Sequence, residues 1–406
     1  MSQPIIVHAD MNSYFASVEQ QANPQLRGKS VGVCAYLHKN GCMIAASVEA
    51  KLLGLKVGMS MEEAKRIAPQ TIFVQNDPAK YRSVTKRIFS LFDEITDRVE
   101  HYSIDEAFLD LTGWARDPAE AAFLMTKIRH RITNEIGDWL RCSIGIAPTR
   151  FLAKTASDMK KPNGLVTLFH DDLDKAWKKL SLEDVCGIGP RIRRRLNRLG
   201  IFTLTDLRAY PVANLMQFFG VYGYYLWAHV NGIEVDRLDV SQSRPPKSIG
   251  HSYCVPKIAN EQRAIAGILV KLTERAGRRL RSYGLRAGTI SVIVGGGGSQ
   301  WIRLPEPVED SFTLVHHASQ LLHALWEGSP VDFLAITLGE LVGASQQTRL
   351  DQHLSSSWTQ SQDRAQRVSK AIDLVRDRYG DSSIRLASMM GTEDHAPDRI
   401  GFRKID

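Results

Sequence analysis

Two adjacent carboxylates, Asp105 and Glu106, stand at the head of an alternating apolar run that predicts a β-strand. Neighbouring anions repel each other unless a cation lies between them. Their hard oxygen atoms suit Mg²⁺, which proteins usually hold with one or two carboxylates together with substrate phosphates. A polar strand end that faces solvent explains an isolated Asp-Glu pair more simply, so other parts of the chain have to decide between the two interpretations.

A third carboxylate, Asp10, follows the apolar run 5–9, which predicts another strand. If the two strands are neighbours in one sheet, the three carboxylates meet at one edge of it. Two divalent cations about 3.5–4 Å apart would balance that charge and stabilise the attacking and leaving oxygens of a displacement at phosphorus. Both Asp105 and Glu106 can be ligands only if their strand begins at a bend, because successive strand residues point to opposite faces.

The stretch 184–192 predicts a helix-hairpin-helix, with Gly187 and Gly189 in the turn and Pro190 opening the second helix. The turn amides and the helix N-terminus of such a motif form a neutral cradle for one backbone phosphate of a nucleic acid. An arginine run is usually a solvated helix face, but directly behind such a turn it favours sequence-independent contact with DNA. The run includes Arg191, Arg193 and Arg194.

A second basic array lies on a long amphipathic helix predicted over residues 261–281, away from its apolar face. The array includes Lys271, Arg275 and Arg278. Taken alone, it fits an ordinary exposed face as well as a DNA-binding one. Together with the arginine run, it predicts a protein that holds a duplex backbone from two domains.

The composition bounds the class of protein. A chain of 406 residues is too long for one ordinary core, so two to four domains are expected. The apolar fraction of 43% is typical of a soluble globular protein. The net charge of +8 is moderate, but the basic residues are unevenly placed, which suggests a polyanionic partner. No apolar run is long enough for a membrane span, no signal peptide is apparent, and five scattered cysteines lack a CxxC pair. We therefore expect reduced thiols and a cytoplasmic location.

The order of predicted elements divides the chain into regions. Strands and helices mix without strict alternation over the first 166 residues, which predicts an α+β domain, and residues 171–239 are all helical. A proline-containing stretch at 244–249 predicts a stiff linker. The order strand-helix-strand-strand-helix-strand over 252–338 predicts a ferredoxin-like domain, with a hairpin at glycines 295–298. One further helix, 363–379, precedes a tail that is predicted to be extended.

Four stretches resemble the motifs of the Y-family translesion DNA polymerases, in that family's order, within residues 4–340. They are residues 8–19 (HADMNSYFASVE), 103–110 (SIDEAFLD), 145–164 (GIA to KPNG) and 184–189 (DVCGIG). Several long motifs in order are far more specific than any one alone. The resemblance implies a right-hand polymerase made of an α+β palm (1–20 and 76–166), small fingers (21–75), a helical thumb with the helix-hairpin-helix (167–240), a linker (241–250), a ferredoxin-like little finger (251–344) and a C-terminal tail with one helix (345–406).

The resemblance also implies the metal site. Asp10, Asp105 and Glu106 would hold two Mg²⁺ ions, and the backbone carbonyl of Met11 would be a further ligand. Ser103, beside them, would contact the primer or hydrogen-bond a ligand. The implied reaction is attack of a primer 3′-hydroxyl on the α-phosphate of a dNTP, with release of pyrophosphate.

Phe15 matches the steric gate of the family, an aromatic ring that would clash with the 2′-hydroxyl of a ribonucleotide. Outside the motif, the same residue would be interpreted as a core aromatic. Tyr14 is assigned to the same nucleotide site, and Lys161 matches the lysine that reaches the triphosphate.

The chain departs from the DinB branch of the family at Ala45, Val48 and Lys51, where that branch commonly has Thr, Tyr and Arg. One point charge thereby replaces two hydroxyls and a bidentate guanidinium. Triphosphate binding is therefore expected to depend on Lys51 and Lys161, with Tyr81 or Arg82 as a further contact. Other positions resemble the UmuC branch, so the choice between DinB and UmuC stays open.

The expected partners follow from the resemblance. They are primer-template DNA and dNTPs, bound by a monomeric polymerase core that inserts nucleotides opposite damaged bases in the SOS response, without proofreading. Gln346–Asp351 stands where bacterial members bind the sliding clamp, but it lacks the terminal aromatic residue and is interpreted as a linker; a UmuD-like partner stays open. Two alternatives remain: a paralogue that binds DNA without catalysis, and a two-metal DNA nuclease.

Overall fold

The computed structural model describes residues 3–37, 41–239, 245–255, 261–343, 358–392 and 395–396, without the side chains of 358–363. The chain divides into two units, with the boundary between residues 242 and 243, inside the predicted linker 241–250. Across the described ranges, no helix is long and apolar enough to cross a membrane. The clamp-like peptide Gln346–Asp351 lies outside the described residues.

The first unit mixes strands and helices up to β8 and is helical beyond it, as the sequence predicts. Its strands are β1 (Ile6–Met11), β2 (Val31–Cys34), β3 (Met43–Ala46), β4 (Ile72–Gln75), β5 (Val99–His101), β6 (Glu106–Asp110), β7 (Cys142–Ala147) and β8 (Leu165–Thr167). Its helices are α1 (Tyr14–Ala22), α2 (Val48–Leu52), α3 (Met61–Ile67), α4 (Pro78–Asp93), α5 (Pro118–Arg131), α6 (Arg150–Met159), α7 (Leu173–Trp177), α8 (Pro190–Asn197), α9 (Leu204–Ala209), α10 (Val212–Phe219) and α11 (Val221–Val230).

A five-stranded sheet in the order β5-β6-β1-β7-β8 forms the centre of this unit. Strand β1 pairs antiparallel with both β6 and β7, and every one of its residues is buried. Its side chains alternate between two apolar clusters: Val7 and Ala9 join one, whereas Ile6 joins the other. Because both faces of β1 are covered, the strand is a rigid support for the residues at its end.

Helix α6 packs unusually closely on β7, and a glycine makes this contact possible. A Cβ atom placed on Gly145 would lie 2.0 Å from the carbonyl oxygen of Ala153. At the start of the helix, the Thr149 hydroxyl accepts a hydrogen bond from the amide of Leu152. The close approach brings the polar side chains of α6 to the sheet.

Two helices of this unit begin at side-chain caps. Ser60 accepts a hydrogen bond from the Glu63 amide at the start of α3, and Asp77 caps α4 through the Lys80 amide. Helix α3 belongs with a small three-stranded sheet, β3-β2-β4, whose core includes Met43. Caps form reliably from sequence because each one involves residues only two or three positions apart.

The second unit is a four-stranded antiparallel sheet with helices, in the predicted order strand-helix-strand-strand-helix-strand. Its elements are β9 (Ile249–Cys254), α12 (Gln262–Ser282), β10 (Leu285–Val294), β11 (Gly298–Val308), α13 (Ser311–Leu325), β12 (Phe333–Gly343) and α14 (Trp358–Tyr379). The sheet order is β11-β10-β12-β9, and the pairing of Val294 with Gly298 confirms the predicted hairpin. Strand β11 is longer than predicted because most of its side chains are exposed and show little apolar alternation.

Candidate active site

The end of β1 brings the predicted carboxylates together. Asp10 and Glu106 are direct partners across the antiparallel pair β1–β6, and the amide of Met11 donates a 3.0 Å hydrogen bond to the carbonyl of Asp105. Residues 103–105 form a bend immediately before β6. The bend satisfies the condition under which both Asp105 and Glu106 can serve one site, since strict strand geometry would separate them.

Each carboxylate is matched with a donor. Lys161 Nζ lies 2.8 Å from Asp10 Oδ2, Lys154 Nζ lies 2.6 Å from Glu106 Oε1, and the Ser103 hydroxyl donates a 2.7 Å hydrogen bond to Asp105 Oδ1. In this arrangement, no group of three or more His, Cys, Asp and Glu side chains within the described part of the chain could hold a metal ion. Two lysine ammonium groups supply the positive charge instead.

The electrostatics of these acids fit a divalent cation. Burial raises the pKa of Asp10 to about 6, although the neighbouring charge of Lys161 opposes the shift. Burial also raises the pKa of Asp105; the hydrogen bond from Ser103 opposes this shift and the negative charge of Asp10 adds to it. Carboxylates with raised pKa values are held in an environment that disfavours their charged form. Hard oxygen donors in such an environment gain from a divalent cation.

A cavity of about 430 Å³ lies beside Asp10 and Asp105. Its volume is within the range typical of small-ligand sites, about 300–1,000 Å³. The wall of this cavity contains most of the residues that are predicted from the sequence to bind metal or nucleotide. The lining residues include Asp10, Met11, Tyr14, Phe15, Ala45, Val48, Lys51, Asp105 and Lys161.

Phe15 is held in the cavity wall by stacking. Its ring lies 4.4 Å from that of Tyr81, centroid to centroid, with an interplanar angle of 10°. Tyr81 is fully buried behind Phe15 and is not among the lining residues, and the triphosphate contact predicted for it remains a prediction. The Tyr14 hydroxyl donates a 2.8 Å hydrogen bond to the Tyr81 carbonyl. The sequence pattern could not reveal this because α1 and α4 are distant in the chain.

Two cations, Lys51 and Lys161, line the same cavity. Partial burial lowers the pKa of Lys51, and the positive charge of Lys161 lowers it further. For Lys161, burial alone would lower the pKa, but the charges of Asp10 and Asp158 outweigh it and raise the pKa. Two positively charged lysines that repel each other in one cavity wall suit a multiply charged anion such as a triphosphate.

Two residues of the site had no assigned role in the sequence. Lys154, on α6, forms the ion pair with Glu106. Asn12 is not aimed at the acids: its Oδ1 accepts a 2.7 Å hydrogen bond from the amide of Asn163 and its Nδ2 donates to the Ser143 hydroxyl. Asn12 therefore fastens the loop that carries Lys161 to the end of β1. The only signal for either residue was its place within a motif.

The predicted helix-hairpin-helix is present in the helical region. Gly187 has a φ of 90°, Gly189 caps α8 and Pro190 occupies its first turn. A 3₁₀ helix, Leu182–Asp184, precedes the turn, and the Tyr222 hydroxyl donates a 2.7 Å hydrogen bond to the Gly187 carbonyl. The turn is therefore supported by α11, which the sequence did not indicate.

The arginines behind this turn remain at the surface. Arg191, Arg193 and Arg194 are exposed. Arg193 pairs with Glu183 at 3.2 Å, and Arg194 donates to the carbonyl of Pro190. The DNA contacts predicted for Gly187, Gly189 and these arginines remain predictions.

The basic array on α12 does not form an open face. Lys271 donates to the carbonyls of Thr392 and His395, Arg275 to that of Ala396, and Arg278 pairs with Asp377 and Asp381. The C-terminal residues, expected to be extended, therefore cover this array, and the DNA contacts predicted for Lys271, Arg275 and Arg278 remain predictions. A helical pattern shows which face is polar, but not whether solvent or another segment lies against it.

Comparison with known proteins gives one consistent result. The chain matches the impB/mucB/samB family over residues 9–158 and the C-terminal domain of that family over residues 246–351. It is 34% identical over 391 residues to DNA polymerase IV of Pelotomaculum thermopropionicum, covering 95% of this chain and 94% of that protein. It is 30% identical to DNA polymerase IV 2 of Bacillus subtilis, covering 98% of both chains.

Solved structures agree with these relatives. The chain is similar to a Y-family DNA polymerase chimera, Dbh-Dpo4(243-245)-Dbh, with a TM-score of 0.74 and 27% sequence identity, over 84% of this chain and 99% of that one. The similarity accords with the α+β, helical and ferredoxin-like regions described above. The chain therefore belongs to the impB/mucB/samB family and is a Y-family DNA polymerase of the DinB type.

Proposed function

We propose that the chain performs translesion DNA synthesis, joining a dNTP to a primer 3′-end opposite a damaged template base and releasing pyrophosphate, as part of SOS damage tolerance. One observation carries the proposal: Asp10, Asp105, Phe15, Lys51 and Lys161 border a single cavity. The cavity thus combines acids suited to a metal, cations suited to a triphosphate and an aromatic ring suited to a sugar.

The carboxylates of Asp10, Asp105 and Glu106, with the carbonyl of Met11, would hold two Mg²⁺ ions. When bound, such ions supply charge stabilisation for the attacking and leaving oxygens. Lys161 has a second partner, Asp158, at 2.6 Å, in addition to Asp10. It can therefore move from Asp10 towards a phosphate while it keeps one ion pair.

Lys51 and Lys161 would orient the triphosphate. Both are ammonium groups, which attract phosphate oxygens without the fixed bidentate geometry of a guanidinium. Lys51 lies on α2 and Lys161 follows α6, so a triphosphate that contacts both would connect the small three-stranded sheet region with the central sheet region.

Phe15 would discriminate between sugars. Its ring is only 3% exposed and is stacked on Tyr81, so it cannot turn away without losing that contact. A ribonucleotide carries one more oxygen than a deoxyribonucleotide, and a fixed aromatic wall excludes it by overlap. The result would be a preference for dNTPs.

Another part of the cavity lining would tolerate altered bases. It contains Ile44, Ala45, Ala46 and Val48, which are small or apolar and offer no side-chain hydrogen bond that could test the shape of a base pair. A loosely enclosed template base lowers fidelity and permits insertion opposite a lesion.

Primer extension tests this proposal directly. With Mg²⁺ and dNTPs, the chain is expected to extend a primer on an undamaged template and past an abasic site, and chelation of Mg²⁺ should stop both reactions. Cleavage of DNA in Mg²⁺ without dNTPs would instead support the nuclease alternative. Binding of primer-template DNA without extension on either template would support the non-catalytic paralogue.

A further inference from the structure

A buried polar cluster lies directly behind the ring of Phe15. Phe15 and Glu19 are four residues apart on α1 and therefore lie on the same face of that helix. The Tyr81 hydroxyl, on α4, donates a 2.8 Å hydrogen bond to Glu19 Oε1. Lys80, the preceding residue, places its Nζ 2.9 Å from Glu19 Oε2. One carboxylate thus accepts from two neighbouring residues of α4.

The cluster is largely shielded from water. The Glu19 side chain is 10% exposed and Tyr81 is fully buried. Charge-assisted hydrogen bonds to a carboxylate in such a place are shorter and stronger than neutral ones. Burial raises the pKa of Tyr81, and the negative charge of Glu19 raises it further. Tyr81 therefore stays protonated and remains a donor.

Tyr81 is held both by its backbone and by its side chain. Its carbonyl accepts a hydrogen bond from Tyr14, and its hydroxyl is bound to Glu19. Tyr14 is in turn 2.8 Å from the Thr85 hydroxyl, which donates to the carbonyl of Ile104, next to Asp105. The support behind Phe15 therefore extends to the bend that carries Asp105.

We infer that Glu19 is a positioning residue for sugar discrimination: by accepting the Tyr81 hydrogen bond, it fixes the ring on which Phe15 stacks and so the depth of Phe15 in the cavity. The inference rests on the proposed steric-gate role of Phe15. Misplacement by about 1 Å is enough to change a rate by orders of magnitude. A wall that must exclude one oxygen atom needs such support.

The test is the ratio of kcat/KM for a dNTP to that for the matching ribonucleotide, measured by primer extension. Tyr81→Phe keeps the stacked ring and removes the hydroxyl, and we expect the ratio to fall about fivefold to tenfold. Glu19→Ala should lower it similarly, and the two changes combined should lower it no further. Glu19→Gln keeps an acceptor oxygen and should retain most of the discrimination.

Two controls separate this role from general stability. Lys80→Met removes the ion pair but leaves the Tyr81 hydrogen bond, so the ratio should stay within about twofold of the wild-type ratio. Thr273→Val removes a buried hydroxyl hydrogen bond of the same 2.8 Å length in the second unit and should not change the ratio. A merely structural role would lower the use of both nucleotides equally and leave the ratio unchanged.

Phe15→Ala, measured in the same assay, separates the steric-gate role of Phe15 from the positioning role of Glu19. If Phe15→Ala leaves the ratio unchanged, the steric-gate role itself fails. If Phe15→Ala relaxes the ratio while Tyr81→Phe and Glu19→Ala leave it at the wild-type value, only the positioning role of Glu19 is overturned. An effect of Lys80→Met as large as that of Tyr81→Phe would likewise contradict the assignment to the hydrogen bond.

Discussion

Asp10 lies directly opposite Glu106 across the antiparallel strands β1 and β6. Like charges at directly opposed positions destabilise a sheet. Two lysines offset this repulsion, Lys161 on Asp10 and Lys154 on Glu106. Four charges at one point of a sheet are unusual, and their arrangement fits the metal-binding role proposed for the two acids.

Replacing one of the acids proposed to bind metal should slow synthesis strongly without loss of DNA binding. Asp105→Asn keeps the size of the side chain but removes its charge, and we expect kcat to fall by about 10²–10³-fold. Asp110→Asn is a matched control at the other end of β6, where Asp110 pairs with Arg98. Primer extension measures the first effect and fluorescence anisotropy with primer-template DNA the second. A wild-type rate of primer extension by Asp105→Asn protein would contradict the proposed role of Asp105 in binding metal.

Shortening Phe15 should admit ribonucleotides. Phe15→Ala removes the ring from the cavity wall, and we expect the preference for dNTPs over ribonucleotides to fall at least about tenfold. The measurement is the rate of single-nucleotide incorporation for each dNTP and for the ribonucleotide with the same base. Phe15→Tyr keeps a ring of the same shape and should retain the preference; equal discrimination in all three proteins would rule out the steric gate.

Loss of the Lys51 charge should weaken nucleotide binding more than it slows chemistry. For Lys51→Met we expect the KM for dNTP to rise about 10–100-fold, because a hydrogen bond to a charged group contributes about 1.5–3 kcal/mol. Lys56→Met, which removes another exposed lysine of the same region, is the control. A KM for dNTP in Lys51→Met protein equal to that of the wild type would show that other residues bind the triphosphate.

Mg²⁺ should raise the thermal stability of the protein without DNA or nucleotide. A ligand at about 100 times its Kd stabilises the folded state by about 2.7 kcal/mol, which raises the midpoint of unfolding by several degrees. In Asp10→Asn protein the increase should be much smaller, whereas Asp110→Asn should behave like the wild type. Calorimetry with and without Mg²⁺ measures the effect, and an equal increase in all three proteins would place the metal elsewhere.

A side chain at Gly145 should prevent the close packing of α6 on β7. A Cβ there would lie 2.0 Å from the Ala153 carbonyl oxygen, and this backbone atom cannot move without shifting the helix. We expect Gly145→Ala to lower the free energy of unfolding by about 3 kcal/mol or more. Gly343→Ala, where a Cβ would meet nothing within 4 Å, should change it by less than about 1 kcal/mol in a denaturant titration.

The sequence by itself determined the local features and identified most of the residues that line the cavity. Helix caps at Ser60 and Asp77, the hairpin at glycines 295–298 and the order of elements in the second unit follow from residues close together in the chain. The carboxylates and the cavity residues Phe15, Lys51 and Lys161 were also identifiable, because their motifs occur in a characteristic order.

Only the tertiary structure decided what lies against these residues. The opposition of Asp10 and Glu106, the stacking of Tyr81 behind Phe15 and the coverage of Arg278 by the C-terminal residues all join segments far apart in the chain. Alternation and helical periodicity report which face of an element is apolar. They do not indicate which distant segment covers the polar face, because that contact depends on how the whole chain packs.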